Sequence, residues 1–213
     1  MLKMSLNKDG VIIVLSSPSG AGKTTIVKKL SLKENFKISI SYTTRIPRIN
    51  EINGKDYYFI TKHDFDKLIE NDELLEYAKV FNNFYGSSTK KVFEILESGN
   101  NVLFDIDWQG TNQIKRKKLN HRLLTIFILP PSKKTLLGRL SERENNNENI
   151  IRERMEKFDQ DVQHWKDYDY VVINDNLDLC LSEILNVIND KIQNKEISFD
   201  KNKIQEHIKI LTE

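Results

Sequence analysis

The fold is decided by the stretch Val11-Ile12-Ile13-Val14-Leu15-Ser16-Ser17-Pro18-Ser19-Gly20-Ala21-Gly22-Lys23-Thr24-Thr25. An apolar strand pattern leads into a loop with two glycines, and a lysine and hydroxyl residues then open a helical pattern. Such a loop aims backbone N–H groups at phosphate oxygens, at the positive end of a helix dipole. The order of the residues therefore predicts a phosphate-binding loop.

Four residues of this loop have distinct expected roles. Gly20 and Gly22 carry no Cβ atom that would block a phosphate. Lys23 is expected to reach the β- and γ-phosphates of a nucleotide, and the Thr24 hydroxyl to ligate Mg²⁺. Ser17 stands where the strict G-x-x-x-x-G-K-[ST] signature has its first glycine. The alternative is an ordinary strand–turn–helix junction with a solvated lysine. The preceding strand is apolar throughout, as buried strands are, and this disfavours the alternative. We expect a nucleoside triphosphate to bind here.

Composition and charge exclude several classes of protein. The 213 residues include 33 Lys and Arg against 31 Asp and Glu, and a formal net charge of +2 gives no field typical of a nucleic-acid binder. The basic run at residues 115–118 is interpreted as a solvated helix end. A single cysteine, Cys180, excludes an intramolecular disulfide and fits a reducing compartment. No apolar run approaches membrane-spanning length, so we expect a cytoplasmic protein with neither a nucleic-acid nor a membrane partner.

Apolar strands without alternation, separated by helical patterns, organise most of the chain. This arrangement predicts an α/β fold whose mainly parallel sheet is covered by helices on both faces. The strand patterns cover residues 11–15, 37–42, 56–60, 74–80, 84–86, 101–107, 123–129 and 170–173. The helical patterns cover residues 23–32, 61–71, 88–98, 132–143, 148–163 and 177–197.

Two acids are expected close to the phosphate loop. Ligands of parallel sheets bind at the carboxyl ends of the strands. Residues 17–24 follow the first strand at that end, and Asp105 and Asp107 close another strand. The two motifs therefore point to one site.

A second group of polar residues lies between residues 39 and 87, where the α/β rhythm is interrupted. Arg45 and Arg48 flank Pro47, so that both guanidinium groups could converge on one phosphate. The other candidates in this region are Tyr57, Glu76, Tyr85 and Ser87. Each also has an ordinary interpretation as a solvated charge, a packing residue or a surface acid, so the residues alone leave a second substrate site open.

Seven stretches of the chain resemble the guanylate kinase family, in the order and spacing of that family. They are residues 16–24, Ser41-Tyr42-Thr43-Thr44-Arg45-Ile46-Pro47-Arg48, Asn53-Gly54-Lys55-Asp56-Tyr57, Tyr85-Gly86-Ser87, Asp105-Ile106-Asp107-Trp108-Gln109-Gly110, Pro130-Pro131-Ser132 and Asn174-Asp175. The resemblance extends from about residue 11 to about residue 192. It implies transfer of the γ-phosphoryl group of Mg·ATP to GMP, with dGMP as a further acceptor, giving ADP and GDP.

The resemblance also implies three parts within one fold. A P-loop core of three α/β/α layers is expected at residues 1–38, 89–135 and 165–197, a GMP-binding lobe at 39–88 and a mobile lid at 136–164. The tail at 198–213 has a weak apolar spacing, and a docked helix, a subunit contact and a frayed end stay open for it. Monomer and homo-oligomer are equally open.

Three residues are implied to recognise the guanine base, namely Ser41, Glu76 and Ser87. Guanine presents two adjacent donors, N1–H and the exocyclic amine, and an ionised carboxylate can accept both. Adenine would present the unprotonated N1 to the same carboxylate, and each lost charged hydrogen bond costs about 1.5–3 kcal/mol.

The resemblance assigns the remaining site residues. The implied GMP-binding set is Ser41, Arg45, Arg48, Glu51, Tyr57, Glu76, Tyr85, Ser87 and Asp105. The implied ATP-binding set is Ser17, Pro18, Ser19, Gly20, Ala21, Gly22, Lys23, Thr24, Asn174 and Asp175. The implied catalytic set is Lys23, Arg45, Arg139, Arg143 and Arg154, the last three from the lid. Mg²⁺ is assigned to Thr24, with Asp105 or Asp107 acting through water.

Of the positions that depart from the family pattern, Glu144 bears most directly on the lid. Glu144 follows the second lid arginine, where the family usually has glycine. An acid beside a phosphate-binding arginine could weaken the hold of the lid on ATP, or it could be solvated. Both outcomes are open from the sequence.

Two other functions compete with this interpretation. One is a kinase for another small phosphate, such as AMP or a ribose phosphate, against which the set of Ser41, Glu76 and Ser87 argues. The other is a non-catalytic binding module, like the guanylate-kinase-like domains of scaffold proteins, which have lost the phosphate loop. Lys23 and Thr24 are both present in this chain, which favours the enzyme.

Overall fold

Five parallel strands form the central sheet of the structure, a computed structural model that describes residues 10–144 and 146–213. The strand order across the sheet is β2 (Phe36–Ile38), β7 (Asn101–Asp105), β1 (Ile12–Ser16), β8 (Leu123–Leu129) and β9 (Tyr170–Ile173). Strand β1 lies at the centre, where Leu15 pairs with Asp105 on one side and Ile126 on the other. The expected α/β fold with a mainly parallel sheet is confirmed.

Helices cover both faces of this sheet. One face packs against α1 (Lys23–Ser31) and α7 (Leu177–Ile192), and the other against α3 (Thr89–Glu97) and α4 (Trp108–Arg116). Side chains of a strand alternate between the faces. Accordingly, Ile13 contributes to the cluster with α1 and Ile12 to the cluster with α3, and both are fully buried. The continuous apolar runs of the sequence therefore reflect burial on two sides.

A second sheet of four strands carries the predicted lobe. Its strand order is β4 (Tyr58–Phe59), β3 (Tyr42–Thr43), β6 (Asn83–Ser88) and β5 (Leu74–Val80), and α2 (Lys62–Glu70) accompanies it. Thr61 caps α2, because its side chain accepts a hydrogen bond from the Asp64 backbone. Gln113 of α4 exchanges two hydrogen bonds with the backbone of Tyr77 in β5, which fixes the lobe against the core.

The expected lid residues form two helices, α5 (Lys133–Arg143) and α6 (Glu148–Val162), followed by a short 3₁₀ helix at Gln163–Asp167. The tail forms α8 (Lys201–Thr212), which buries Ile204, Ile208 and Leu211. These side chains join the cluster that contains Leu136 and Phe158 of the lid helices. The tail is therefore a docked helix and not a frayed end.

Several predicted elements differ in extent from the observed ones, and two of these differences have a clear physical reason. The strand expected at residues 37–42 is divided between the sheets, since β2 ends at Ile38 and β3 begins at Tyr42. Alternation has the same period in both sheets, so the pattern cannot show where the chain crosses. The helix expected to reach residue 197 ends at Ile192, because Asn194 has a φ of 55° and Lys195 donates to the Asp190 carbonyl in a Schellman motif. Helix α4 was marked in the sequence only by its basic end.

None of the helices in the described ranges combines the length and the apolar character needed to cross a bilayer.

Candidate active site

The phosphate loop connects β1 to α1 with two glycines in the left-handed region. Gly20 has a φ of 87° and Gly22 a φ of 95°. A Cβ on Gly22 would lie 2.3 Å from Asn174 Nδ2, and one on Gly20 would lie 2.8 Å from Leu136 Cδ1. Glycine is required at both positions by backbone conformation and by space, as the motif predicted.

Lys23, Thr24 and Asp105 form one polar cluster at the carboxyl end of the sheet. Lys23 Nζ lies 2.8 Å from Asp105 Oδ1 and donates to the Ile106 carbonyl at 2.8 Å. The Thr24 hydroxyl donates to the other carboxylate oxygen of Asp105 at 2.9 Å. The structure thus brings the lysine and the hydroxyl together with an acid that the sequence placed at the end of another strand.

The oxygen donors of this cluster fit Mg²⁺. Mg²⁺ in nucleotide sites is held by one or two protein oxygens, substrate phosphates and several waters. The Thr24 hydroxyl and the Asp105 carboxylate supply such donors side by side. The Asp107 carboxylate is engaged differently, since it accepts hydrogen bonds from the backbones of Gln109 and Gly110 and caps α4. Within the described ranges, no three His, Cys, Asp or Glu side chains cluster in a way that could hold a metal ion.

The three residues expected to recognise guanine meet in the lobe. Glu76 on β5 is paired in register with Ser87 on β6. The Ser87 hydroxyl donates to Glu76 Oε1 at 2.6 Å, and Ser41 Oγ lies 3.4 Å from Ser87 Oγ. All three side chains are buried, with Glu76 only 3% exposed. Sequence alone could not show this convergence.

The environment of Glu76 opposes its negative charge. Burial raises the pKa of the Glu76 carboxyl to about 7, and the Ser87 hydrogen bond offsets only part of this effect. Asp107 acts in the same direction as burial, while Lys23 favours the ionised form. A carboxylate held dry in this way gains from donors that a ligand brings.

Arg45 and Arg48 both contact Glu51 in the loop between β3 and β4. Arg45 Nη2 lies 2.7 and 2.8 Å from the two Glu51 oxygens, and the Arg48 backbone donates to Oε2 at 2.8 Å. Burial opposes ionisation of Glu51, but its hydrogen bonds to Arg45 and to the Arg48 backbone outweigh that effect and lower its pKa. Glu51 therefore orients the two guanidinium groups.

Two tyrosines lie beside Arg45. Its guanidinium carbon is 5.4 Å from the centre of the Tyr57 ring, which packs edge-on against Tyr85 at 5.9 Å. Burial raises the pKa of Tyr57, so its hydroxyl stays protonated and able to donate. Two arginines and two tyrosines of the expected GMP-binding set thus lie close together in the lobe, three of them in the β3–β4 loop and Tyr85 on β6.

Two lid arginines contact the phosphate loop directly. Arg139 lies 3.3 Å from the Ala21 carbonyl and 3.3 Å from the Asn174 carbonyl. Arg154 Nη1 donates to Ser19 Oγ at 2.7 Å, and its buried Nε has no hydrogen-bond partner within the described residues. Arg143 is exposed and contacts Glu144 at 2.9 Å. The lid helices therefore contact the phosphate loop, and Arg154 Nε is still available to donate a hydrogen bond to a ligand.

The loop after β9 supplies the residues expected near adenine. Asn174 is 3% exposed, and its amide donates to the Ala21 carbonyl at 2.8 Å. Its Oδ1 is buried and lacks a partner within the described residues, so it can accept from a ligand. Asp175 beside it is exposed.

The structure adds three residues that the sequence analysis did not assign to the site. A Cβ on Gly110 would lie 2.3 Å from Glu76 Oε2, so this glycine makes room for the carboxylate. Phe81, at the tip of the β5–β6 hairpin, lies 4.7 Å from the Arg154 guanidinium. The Glu144 side chain is only 10% exposed and ion-paired, so the solvated acid, one of the two outcomes that the sequence left open, is not found. No sequence signal marks the contacts of Gly110 and Phe81, because each joins segments that are distant along the chain.

The chain is similar to proteins of one family. The family model described as guanylate kinase matches residues 10–191. The guanylate kinase of Buchnera aphidicola subsp. Acyrthosiphon pisum is 44% identical over 84% of this chain and 87% of its own. That of Rickettsia felis is 44% identical over 87% of this chain and 96% of its own. A crystal structure of guanylate kinase from Anaplasma phagocytophilum has a TM-score of 0.70 at 35% identity and covers 86% of each chain. The chain therefore belongs to the guanylate kinase family.

Proposed function

We propose that this protein transfers the γ-phosphoryl group of Mg·ATP to GMP, and also to dGMP, and releases ADP and GDP. One observation carries the proposal beyond family membership. A buried carboxylate, Glu76, is held by Ser87 in the lobe, and the phosphate loop of the core is completed by Lys23 and Thr24. The lobe supports acceptor recognition, and the core supports binding of the phosphate donor.

The acceptor base is selected by the pair of donors that guanine offers to Glu76. Ser87 already donates to Oε1, so guanine N1–H and the exocyclic amine complete the hydrogen bonding of the carboxylate. Adenine would leave this buried group facing a lone pair, at a cost of about 1.5–3 kcal/mol for each missing bond. Ser41 stands beside Ser87 as a further hydroxyl for the base.

The acceptor phosphate requires neutralisation of its negative charge more than it requires a general base. The second pKa of a phosphate monoester is about 6, so the nucleophilic oxygen of GMP is already ionised near pH 7. Arg45 and Arg48, oriented by Glu51, reduce the repulsion between this dianion and the triphosphate. Tyr57 and Tyr85 add phenolic donors beside Arg45.

The donor phosphates lie in the turn at residues 17–24. Lys23 neutralises charge on the transferring group, and Arg139, Arg143 and Arg154 supply guanidinium donors from the lid. Thr24 and Asp105 would hold Mg²⁺, which would supply positive charge to neutralise the charge of the transition state. Asn174 Oδ1, which lacks a partner within the described residues, fits the amino group of adenine.

Exclusion of water follows from contacts that tie the lid to the other parts. Arg154 bonds to Ser19 of the loop, and its guanidinium packs on Phe81 of the lobe. A site closed on both sides protects the phosphoryl group from hydrolysis. Catalysis then consists of positioning and charge neutralisation, as expected for phosphoryl transfer.

Product analysis tests this proposal. Purified protein is incubated with Mg·ATP and one acceptor at a time, GMP, AMP, CMP, UMP or dTMP, and nucleotides are quantified chromatographically. We expect ADP and GDP in equal amounts with GMP, and no ADP above background with the other four. Turnover of a different acceptor would overturn the role of Glu76, and absence of turnover from folded, nucleotide-binding protein would favour a binding module.

A further inference from the structure

The carboxylate of Glu144 lies among three arginines that belong to different parts of the site. Its Oε1 is 2.9 Å from Arg143 Nε and 3.2 Å from Arg154 Nη2, both in the lid. It is also 3.9 Å from Nη2 of Arg48 in the lobe. With a side chain only 10% exposed, Glu144 is enclosed by cations.

Helix stability does not account for an acid at this position. Glu144 caps the carboxyl end of α5. That end of a helix carries partial negative charge, and an acidic side chain there is unfavourable. Its neighbour Glu142, in the last turn of the same helix, is exposed to solvent. The arginines, and not the helix, therefore hold Glu144 in place.

The arginines would repel one another without this carboxylate. Burial and the nearby charge of Arg143 lower the pKa of Arg154, whereas Glu144 acts in the opposite direction. Arg154 also bonds to Ser19 of the phosphate loop. Glu144 therefore supplies negative charge to a cationic pocket directly above that loop.

We propose that Glu144 is an internal counter-anion of the lid, bound by Arg143 and Arg154 and displaced from them by the phosphates of ATP. This inference rests on the proposed function, in which both arginines hold those phosphates. Carboxylate and phosphate use the same guanidinium donors. The nucleotide consequently competes with Glu144, and its apparent affinity is reduced by the fraction of time that the arginines are occupied.

The competition acts on ATP and not on GMP. Of the three arginines, Arg48 has the longest contact with Glu144. Arg48 is also held by Glu51, whose Oε1 lies 3.5 Å from Arg48 Nη1 and whose Oε2 accepts from the Arg48 backbone at 2.8 Å. Loss of Glu144 leaves Arg48 in place. Arg143 has no second carboxylate partner within the described residues, so it is released.

Calorimetric titration with tripolyphosphate tests the proposal without turnover. The probe carries the phosphate chain of ATP without its nucleoside. Glu144→Gln removes the charge and keeps the size of the side chain, and Glu144→Ala is a second variant. Glu142→Gln is the matched control, since it removes the same charge two residues away. We expect both Glu144 variants to bind tripolyphosphate and ATP about fivefold more tightly or better. Glu142→Gln should bind tripolyphosphate and ATP as the wild type does, and the KM for GMP should be unchanged in the Glu144 variants. About 0.5 M salt should reduce the difference in affinity between the Glu144 variants and the wild type.

The outcomes separate this inference from the proposed function. Equal or weaker binding of tripolyphosphate by both Glu144 variants, in a protein whose wild type phosphorylates GMP, would overturn the counter-anion and leave the kinase intact. A wild type that neither binds tripolyphosphate nor phosphorylates GMP would overturn both. An equal gain in Glu142→Gln would show a general charge effect and would also overturn the role of Glu144.

Discussion

Ser87 donates a hydrogen bond of 2.6 Å to Glu76 Oε1, inside a lobe where both side chains are buried. The bond fixes the rotation of the carboxylate, and the missing Cβ of Gly110 leaves room at Oε2. A carboxylate that is held dry and oriented before the ligand arrives loses little entropy on binding. We expect this relationship to give the lobe a preference for guanine.

Substitution of Glu76 should affect one substrate only. Glu76→Gln keeps the shape of the side chain but presents an amide donor to one of the two guanine donors. We expect kcat/KM for GMP to fall about 10- to 100-fold. The KM for ATP should stay near its wild-type value, because Glu76 lies in the lobe. Steady-state kinetics with each substrate varied in turn measures both.

The matched control for this variant is Glu73→Gln, which changes an exposed acid just before the same strand. It should leave both substrates unaffected. Equal losses for ATP and GMP in Glu76→Gln would mean that the carboxylate supports the fold and does not read the base.

Burial of Glu76 should make stability depend on pH. Its pKa is raised from 4.5 to about 7 in the folded protein. The folded carboxyl therefore keeps its proton where the unfolded one has lost it, and the free energy of unfolding falls as pH rises between these values. Relative to Glu76→Gln, the free energy of unfolding of the wild type should fall by roughly 2–4 kcal/mol as pH rises between the two pKa values. Urea unfolding of both proteins at pH 5 and pH 8 measures this change. If the difference in free energy of unfolding between the two proteins is the same at both pH values, the burial argument is refuted.

Lys23→Ala should abolish turnover while the fold survives. Lys23 contacts Asp105 and donates to the Ile106 carbonyl, but its expected role is to neutralise charge on the phosphoryl group during transfer. We expect kcat to fall about 100-fold or more. Lys28→Ala, on the exposed side of the same helix, should retain activity. Thermal unfolding provides the check on folding, and near-normal kcat in Lys23→Ala would contradict the phosphate-loop assignment.

Two glycines should respond oppositely to alanine. Gly22 has a φ of 95° and a Cβ there would lie 2.3 Å from Asn174 Nδ2, so Gly22→Ala should destabilise the protein by about 1–3 kcal/mol. Gly138 lies inside α5, where a Cβ would meet no neighbouring atom of the described residues within 4 Å. Gly138→Ala should stabilise by about 0.5–1 kcal/mol. Chemical denaturation compares them, and destabilisation of equal size in both would contradict the steric account.

The tail helix should contribute to the stability of the lid region. Leu211 of α8 is fully buried in the cluster that includes Leu136 and Phe158. Leu211→Ala should cost about 2–5 kcal/mol, because it leaves a cavity. Ile210 is 68% exposed, and Ile210→Ala should cost far less. If the two variants unfold at the same denaturant concentration, α8 is not docked in solution.

Local patterns predicted the elements that depend on neighbouring residues. The phosphate loop follows from glycine placement, and the strand at Leu123–Leu129 follows from a continuous apolar run. The division of residues 37–42 between two sheets did not, because alternation is the same in each. The contact between Glu144 and Arg48 lay beyond prediction because the two residues are almost a hundred positions apart in the chain. The roles of the site residues remain predictions.

The most direct test of the central claim compares GMP with IMP and AMP as acceptors for the wild-type protein at saturating Mg·ATP. IMP keeps N1–H but lacks the exocyclic amine, and AMP lacks both donors. If Glu76 accepts from both guanine donors, kcat/KM for IMP should be about 10- to 100-fold below that for GMP, and AMP should be lower still. An IMP value equal to that of GMP, or efficient use of AMP, would show that the buried carboxylate does not select the base.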